Sequence, residues 1–126
     1  MSALYGEIIA AHFRAPRNFG PLPSPDASHE ELNPLCGDRI RIELRLERGR
    51  IAEARFGGDA CMVATAAASL LTGLVIGQDL ETAAAFPPDV LLAALQAPLR
   101  PSRVSCATLP IAAMQGAIAR LRGAAR

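Results

Sequence analysis

The stretch Asn33-Pro34-Leu35-Cys36-Gly37-Asp38, continued by Arg39-Ile40-Arg41-Ile42-Glu43-Leu44-Arg45-Leu46-Glu47, decides the fold. Its second half alternates charged and apolar residues, and this pattern predicts a half-buried strand over residues 39–47. Side chains two residues apart in a strand point to the same face. Because Cys36 and Asp38 have the parity of the apolar residues, we expect the thiol and the carboxylate at one end of the core-facing side.

A second strand follows the first after a short turn. The glycine at position 49, between two arginines, indicates a turn, and residues 51–56 read as a strand that completes an antiparallel hairpin. Ala52, Ala54 and Phe56 are expected to face inward. Gly57 and Gly58 are expected to break this second strand.

The rest of the chain reads mainly as helices. The apolar pattern and the capping residues predict helices over 3–14, 61–76, 79–85, 89–96 and 107–121. Residues 21–28 are rich in proline and are expected to be irregular, with at most a short edge strand. Residues 98–105 are expected to form a loop. This order of elements predicts an α+β fold, in which helices cover one face of a small antiparallel sheet.

The composition limits the class of protein. A chain of 126 residues is expected to form a single domain over residues 1–126. Its net charge of +1 does not favour nucleic acid as a partner. No apolar run reads as long enough to span a bilayer, so no membrane partner is expected. All 13 basic residues are arginines, which excludes Schiff-base chemistry on a lysine. Three cysteines without a signal peptide indicate a cytoplasmic protein whose thiols are free, catalytic or metal-binding.

Four side chains are candidates for a metal site. Cys61 and Cys106 both fall at predicted helix starts, where the positive end of the helix dipole favours a thiolate. Together with Cys36 and Asp38 they make a plausible set of three sulfur ligands and one oxygen ligand. The alternative is that Cys61 and Cys106 are small core residues and that Asp38 caps a strand.

Other polar residues have plainer explanations. His12 could act as a base beside a cysteine, but a packing or surface role on the first helix is the stronger expectation. His29 lies in a polar stretch and is expected to be solvated. The arginines at positions 39, 41 and 45 are expected on the wet face of the strand, where they could also form a docking surface.

Several motifs together resemble one family, the U-type iron–sulfur cluster scaffolds, which comprise IscU, SufU and the N-terminal domain of NifU. The resemblance covers nearly the whole chain. It is carried by Tyr5, His12-Phe13-Arg14-Ala15-Pro16-Arg17-Asn18-Phe19-Gly20, Asn33-Pro34-Leu35-Cys36-Gly37-Asp38-Arg39, Phe56-Gly57-Gly58-Asp59-Ala60-Cys61, Ala68-Ser69-Leu70-Leu71-Thr72 and Cys106.

The resemblance implies a SufE/NifU-like fold with three antiparallel strands and helices on one face. It also implies a site made by Cys36, Asp38, Cys61 and Cys106. Such a protein takes sulfur from a cysteine desulfurase, binds iron, holds a transient 2Fe-2S cluster and passes it to apo-proteins. This is binding and assembly, so an enzyme is not expected. Zinc is the metal expected in the protein as purified.

The chain departs from the family pattern at three positions. Ala60 stands where the motif has a second glycine. Arg103 replaces a lysine that an Hsp70-type chaperone reads in the IscU branch, so that partnership is doubtful for this chain. Ser105 replaces a histidine, which removes one alternative ligand. We predict that Ser105 is not a ligand and that the site depends on Asp38.

Two other functions remain open from the sequence. In the first, zinc held by the same four residues keeps the site folded while Cys106, on its loop, accepts persulfide sulfur from the desulfurase. The protein is then a sulfur relay. In the second, a cysteine hydrolase would pair His12 with a cysteine.

Overall fold

The structure, a computed structural model, describes residues 5–124. Its three strands form one antiparallel sheet in the order β1-β2-β3, and the helices cover one face of it. This confirms the predicted α+β architecture. The elements are α1 (Glu7–Arg14), β1 (Ala27–Asn33), β2 (Asp38–Glu47), β3 (Arg50–Asp59), α2 (Met62–Val75), α3 (Leu80–Ala84), α4 (Pro88–Leu95) and α5 (Pro101–Ala124).

The central strand β2 follows its alternating sequence. Ile40, Ile42 and Leu44 are each at most 1% exposed and face the helices. Burying side chains of this size contributes roughly 1.5–3 kcal/mol each to folding. Arg41 and Glu43, between them, point to the other face. The core therefore lies between the sheet and the two long helices, α2 and α5.

The strand β3 contains an irregularity that the alternation rule did not predict. Glu53 pairs with Arg45, but the next residue of β2, Leu46, pairs with Ile51, so Ala52 is the extra residue of a bulge. The bulge reverses the parity, so Ile51 is buried and the inward placement predicted for Ala52 is wrong. The strand also continues through both glycines to Asp59.

The strand β1 lies where the sequence showed little strand signal. Its core-side positions include polar residues, and His29 forms a hydrogen bond with Glu31 Oε1 at 2.8 Å. Arg120 Nε of α5 donates to His29 Nδ1 at 3.2 Å. His29 is therefore partly buried between β1 and α5, and the prediction that it is solvated is wrong.

The remaining helices agree with the pattern, with shifted starts. α1 begins at Glu7, after Gly6 with φ +94°, and residues 3 and 4 of the predicted helix lie outside the described residues. α3 is capped as predicted by Asp79, whose Oδ1 accepts from Thr82 N at 2.8 Å. α2 ends before Gly77, whose φ of +92° is a backbone conformation that favours glycine.

The last helix is longer than predicted. α5 begins at Pro101, so the expected loop over residues 98–105 is wrong for most of its length. Proline suits the first turn of a helix, where its missing N–H has no helical acceptor to lose. By length and hydropathy alone this helix could cross a bilayer, whereas no such segment was expected. Half of its most apolar window is buried inside the fold, as in a core helix.

Candidate metal centre

A tight turn between β1 and β2 carries the first cysteine. The backbone carbonyl of Asn33 accepts from Cys36 N at 3.3 Å and from Gly37 N at 2.8 Å. The side chain of Asn33 is buried, and its Oδ1 accepts from Leu35 N at 3.1 Å. Gly37 has φ +78°, which favours glycine. Cys36 therefore lies in the turn before β2 and is exposed, although its Sγ approaches the buried Cys106.

Asp38 is the first residue of β2 and faces the core, as its parity predicted. The residue is 6% exposed, and its Oδ1 accepts from Cys61 N at 3.0 Å. Its other oxygen, Oδ2, is buried and has no hydrogen-bond partner. Burial raises the pKa of this carboxyl, but the Cys61 N–H and the neighbouring thiols of Cys61, Cys36 and Cys106 together lower it below its ordinary value. Asp38 is therefore held as a carboxylate with one oxygen free to bind a cation.

Cys61 is the N-cap of α2 and lies next to Asp38. Its Sγ accepts from Ala64 N at 3.5 Å, which is the capping contact expected at a helix start. Burial raises the pKa of the Cys61 thiol, and the hydrogen bond from Ala64 lowers it by less. Burial of the Cys61 thiol therefore outweighs the predicted stabilisation of the thiolate by the helix dipole.

Cys106 lies inside α5, not at its start. The residue is 1% exposed, one turn after Ser102, whose carbonyl oxygen is 3.9 Å from Cys106 Sγ. Burial, followed by contacts with Cys36 and Cys61, raises the pKa of this thiol to about 12. The prediction of Cys106 on a loop is wrong, and a swinging motion of this sulfur has no basis in the fold.

These side chains converge although they are far apart in the sequence. The sulfurs of Cys36 and Cys106, 70 residues apart, are 3.7 Å from each other. One ligand atom each from Cys36, Asp38 and Cys106 lie within 4.8 Å of one another. Cys61 is not in that group of three, but its backbone N–H donates to Asp38 Oδ1 at 3.0 Å, which places the residue beside the group. The predicted set of four is therefore brought to one end of the sheet.

The geometry suits a tetrahedral metal ion. Two thiolates at about 2.3 Å from one zinc ion are about 3.8 Å apart when the angle is tetrahedral. The observed separation of 3.7 Å between the two sulfurs is close to that value. A buried carboxylate oxygen without a hydrogen-bond partner costs free energy unless a cation or water binds it. The Asp38 carboxylate has one oxygen within 4.8 Å of these sulfurs, and its buried Oδ2 has no hydrogen-bond partner among residues 5–124, so Asp38 fits a metal ligand.

Two further polar residues, Ser105 and His12, use their side chains for hydrogen bonds within the fold. Ser105 Oγ donates to Ser102 O at 3.0 Å and accepts from Asn33 Nδ2 at 3.1 Å, so its hydroxyl serves structural hydrogen bonds. His12 Nδ1 is 2.7 Å from Ser69 Oγ of α2, and burial lowers the pKa of its ring. This contact gives His12 the packing role that the sequence favoured.

Sequence reasoning missed two residues that shape the site. Asn33 builds the turn that holds Cys36 and ties it to Ser105 of α5. Arg103 lies one helical turn before Cys106, and its contact with the Cys106 sulfur raises the pKa of its guanidinium. Asn33 began the stretch that decides the fold, so its position was visible, but its contact with α5 was not.

We expect Asn33→Ala to lower zinc affinity about tenfold, the usual cost of removing a group that orients a ligand. The turn would lose the side-chain acceptor for Leu35 N and the bond to Ser105. A zinc competition titration measures the effect. Ser105→Ala removes the bond from Asn33 and the bond to Ser102 O but keeps the Leu35 contact, and it should change affinity less than threefold. An equal loss in both variants would show that the bond between Asn33 and Ser105, and not the contact with Leu35 N, supports the site.

Comparisons with known proteins agree with a metal-binding site of this kind. A family model described as the NifU-like N terminal domain matches residues 4–125. The zinc-dependent sulfurtransferase SufU of Bacillus subtilis is 31% identical over 140 aligned positions, covering 98% of this chain and 95% of that protein. The iron-sulfur cluster assembly scaffold protein IscU of Haemophilus influenzae is 33% identical, covering 91% of this chain and 93% of its own.

A solved structure shares the fold. The N-terminal part of a nitrogen-fixing NifU-like protein from Brucella abortus superposes with a TM-score of 0.76 and 18% identity, covering 94% of each chain. At that identity the likeness concerns the fold alone. The match of the family model over nearly the whole chain is the stronger finding. This chain belongs to the NifU-like N-terminal domain family.

Proposed function

We propose that this protein is an iron–sulfur cluster assembly scaffold. It would receive sulfur from a cysteine desulfurase, bind iron and pass the assembled cluster to apo-proteins. The observation that carries the proposal is the pair of sulfurs 3.7 Å apart beside the Asp38 carboxylate, one oxygen of which is buried without a hydrogen-bond partner among residues 5–124. Relatives named as iron-sulfur cluster assembly scaffolds support it.

The ligand set suits temporary binding. Thiolates hold iron well, and a carboxylate is a harder ligand that holds it less tightly. Cys36, Cys61 and Cys106 would hold the iron, and Asp38 would be the ligand that is released most easily. Cys36 is exposed while Asp38 and Cys106 are buried, so the site is open on the Cys36 side. Assembly and transfer of a transient 2Fe-2S cluster need no catalytic turnover by these residues.

A second function is favoured by one relative. SufU of Bacillus subtilis is named a zinc-dependent sulfurtransferase, and its match spans almost the whole of both chains. In this chain Cys36, Asp38, Cys61 and Cys106 would hold zinc, and one cysteine would accept persulfide sulfur. The exposed thiol is Cys36, so the acceptor in such a relay would be Cys36 and not Cys106.

Anaerobic reconstitution with iron and a cysteine desulfurase separates the two functions. As a scaffold, the protein should gain visible absorption from a cluster, and that cluster should pass to an apo-ferredoxin. Cys61→Ser should abolish stable loading, since a hydroxyl replaces a thiolate poorly on iron. If desulfurase turnover rises while zinc stays bound and no transferable cluster forms, the relay replaces the scaffold.

A further inference from the structure

An open cleft lies beside the metal centre. Its volume is about 620 Å³, within the range typical of small-molecule sites. One wall is the turn between β1 and β2, with Leu35 and Cys36, and the opposite wall is the start of α5. Cys106 lies at its inner end. The exposed sulfur of the centre therefore opens onto a space that fits a small molecule.

The charges of the cleft favour an anion. Arg100 and Arg103 both line it, and none of the described residues that line it is acidic. Four other arginines form ion pairs with carboxylates within residues 5–124, whereas neither Arg100 nor Arg103 does so there. Guanidinium groups bind carboxylates through paired hydrogen bonds. Two such groups without a carboxylate partner, beside an exposed thiol, are suited to a ligand that carries a carboxylate.

We propose that this cleft binds a low-molecular-weight persulfide that carries a carboxylate, and that Cys36 takes its outer sulfur. The inference rests on the proposed function, because the sulfur so acquired would enter the metal centre. Arg100 and Arg103 would hold the carboxylate, which places the persulfide between them and Cys36. The site thereby admits a sulfur donor that does not require a docked protein.

The sulfur transfer balances without another reagent. The Cys36 thiolate attacks the outer sulfur of R–S–SH, and a new S–S bond forms on Cys36. The S–S bond of the donor breaks at the same time, and R–S⁻ leaves. The proton that Cys36 gave up neutralises it to R–SH. One S–S bond is lost and one is gained, so no external oxidant or reductant is needed.

The test compares two donors that differ only in the carboxylate. The metal-free full chain is treated with cysteine persulfide or with cysteamine persulfide, and mass spectrometry follows the gain of one sulfur atom at each cysteine. We expect labelling of Cys36 to saturate with cysteine persulfide and to be about tenfold faster at low concentration than with cysteamine persulfide, the value of a charge-assisted contact. Equal rates with the two donors would overturn the proposal.

Arginine variants test which side chains cause the preference for the donor with a carboxylate. Arg100→Gln combined with Arg103→Gln should remove the tenfold preference, and Arg100→Gln alone should reduce it. Arg39→Gln is the control, because Arg39 is exposed on β2 and does not line the cleft. A preference that survives in the double variant, or sulfur that appears on Cys106 instead of Cys36, contradicts the assignment.

The experiments distinguish a failure of the cleft proposal from a failure of the scaffold proposal. If the cleft proposal fails alone, the wild-type protein still assembles and transfers a cluster with the desulfurase, but does not discriminate between the two small donors. If the scaffold proposal fails, no transferable cluster forms whichever donor is supplied. Labelling of Cys36 by the desulfurase but by neither small donor would assign the cleft to a protein donor and overturn the inference.

Discussion

Asp38→Asn should lower the affinity for zinc by roughly 100-fold, at the upper end of losses seen when a metal site is disturbed. Asparagine can keep the acceptor for Cys61 N, so the contact between β2 and the start of α2 survives. What it removes is the negative charge and the buried oxygen Oδ2, which has no protein hydrogen-bond partner. Within residues 5–124 no other acidic or histidine side chain joins the group of Cys36, Asp38 and Cys106, and the hydroxyl of Ser105 is already engaged. A zinc competition titration measures the loss.

The control removes a similar charge nearby. Asp59, at the end of β3, is exposed and is not in the ligand cluster, so Asp59→Asn should change affinity less than threefold. Adding Ser105→His to Asp38→Asn supplies an imidazole, a good zinc ligand, and should restore part of the affinity. Equal zinc affinity in wild type and Asp38→Asn would remove Asp38 from the ligand set.

Gly58→Ala should destabilise the fold by about 3 kcal/mol or more, one of the larger effects for a single substitution. Gly58 has φ +131°, and an added Cβ would overlap the carbonyl oxygen of Arg39 and lie 2.9 Å from its carbonyl carbon. Both contacts are with backbone, so no side chain can move aside. Relief requires β2 and β3 to separate beside Asp38. The midpoint of thermal unfolding should fall by roughly 10 °C or more.

Gly49→Ala separates conformational strain from overlap. Gly49 also has a positive φ, +77°, but no heavy atom lies within 4 Å of an added Cβ. Its substitution should cost about 1 kcal/mol, the strain of the backbone conformation alone. Similar unfolding temperatures for the two variants would show that the close approach of Gly58 to Arg39 does not limit stability.

The two sides of the metal centre differ in a way that matters for function. Cys106 and Asp38 are fixed by a helix and a strand and are buried. Cys36 is held by a four-residue turn and is exposed. Ligands on rigid elements keep their geometry, whereas a ligand on a turn can be reached by a donor or an acceptor. Arrival and departure of sulfur are therefore expected on the Cys36 side.

The sequence by itself determined the elements whose signals are local. The alternation over residues 39–47 gave the central strand because one face of that strand is buried in apolar core and the other is not. Asp79 marked the start of α3 because a capping bond joins residues three apart. The motif around Cys36, with Cys61 and Cys106, indicated the family, and the family model confirmed it.

Only the tertiary structure decided the rest, because the causes lie in residues distant along the chain. β1 has polar residues on its core side, and for that reason its sequence shows little strand signal. Neighbours in β2 and α5 hold it in place. The bulge at Ala52 depends on the pairing register, which composition does not encode. Cys106 is buried inside α5, and its approach to within 3.7 Å of Cys36 arises because α5 packs against the β1 and β2 strands that flank the Cys36 turn. The sequence indicated the candidate ligands, and the packing of that helix on the sheet places them together.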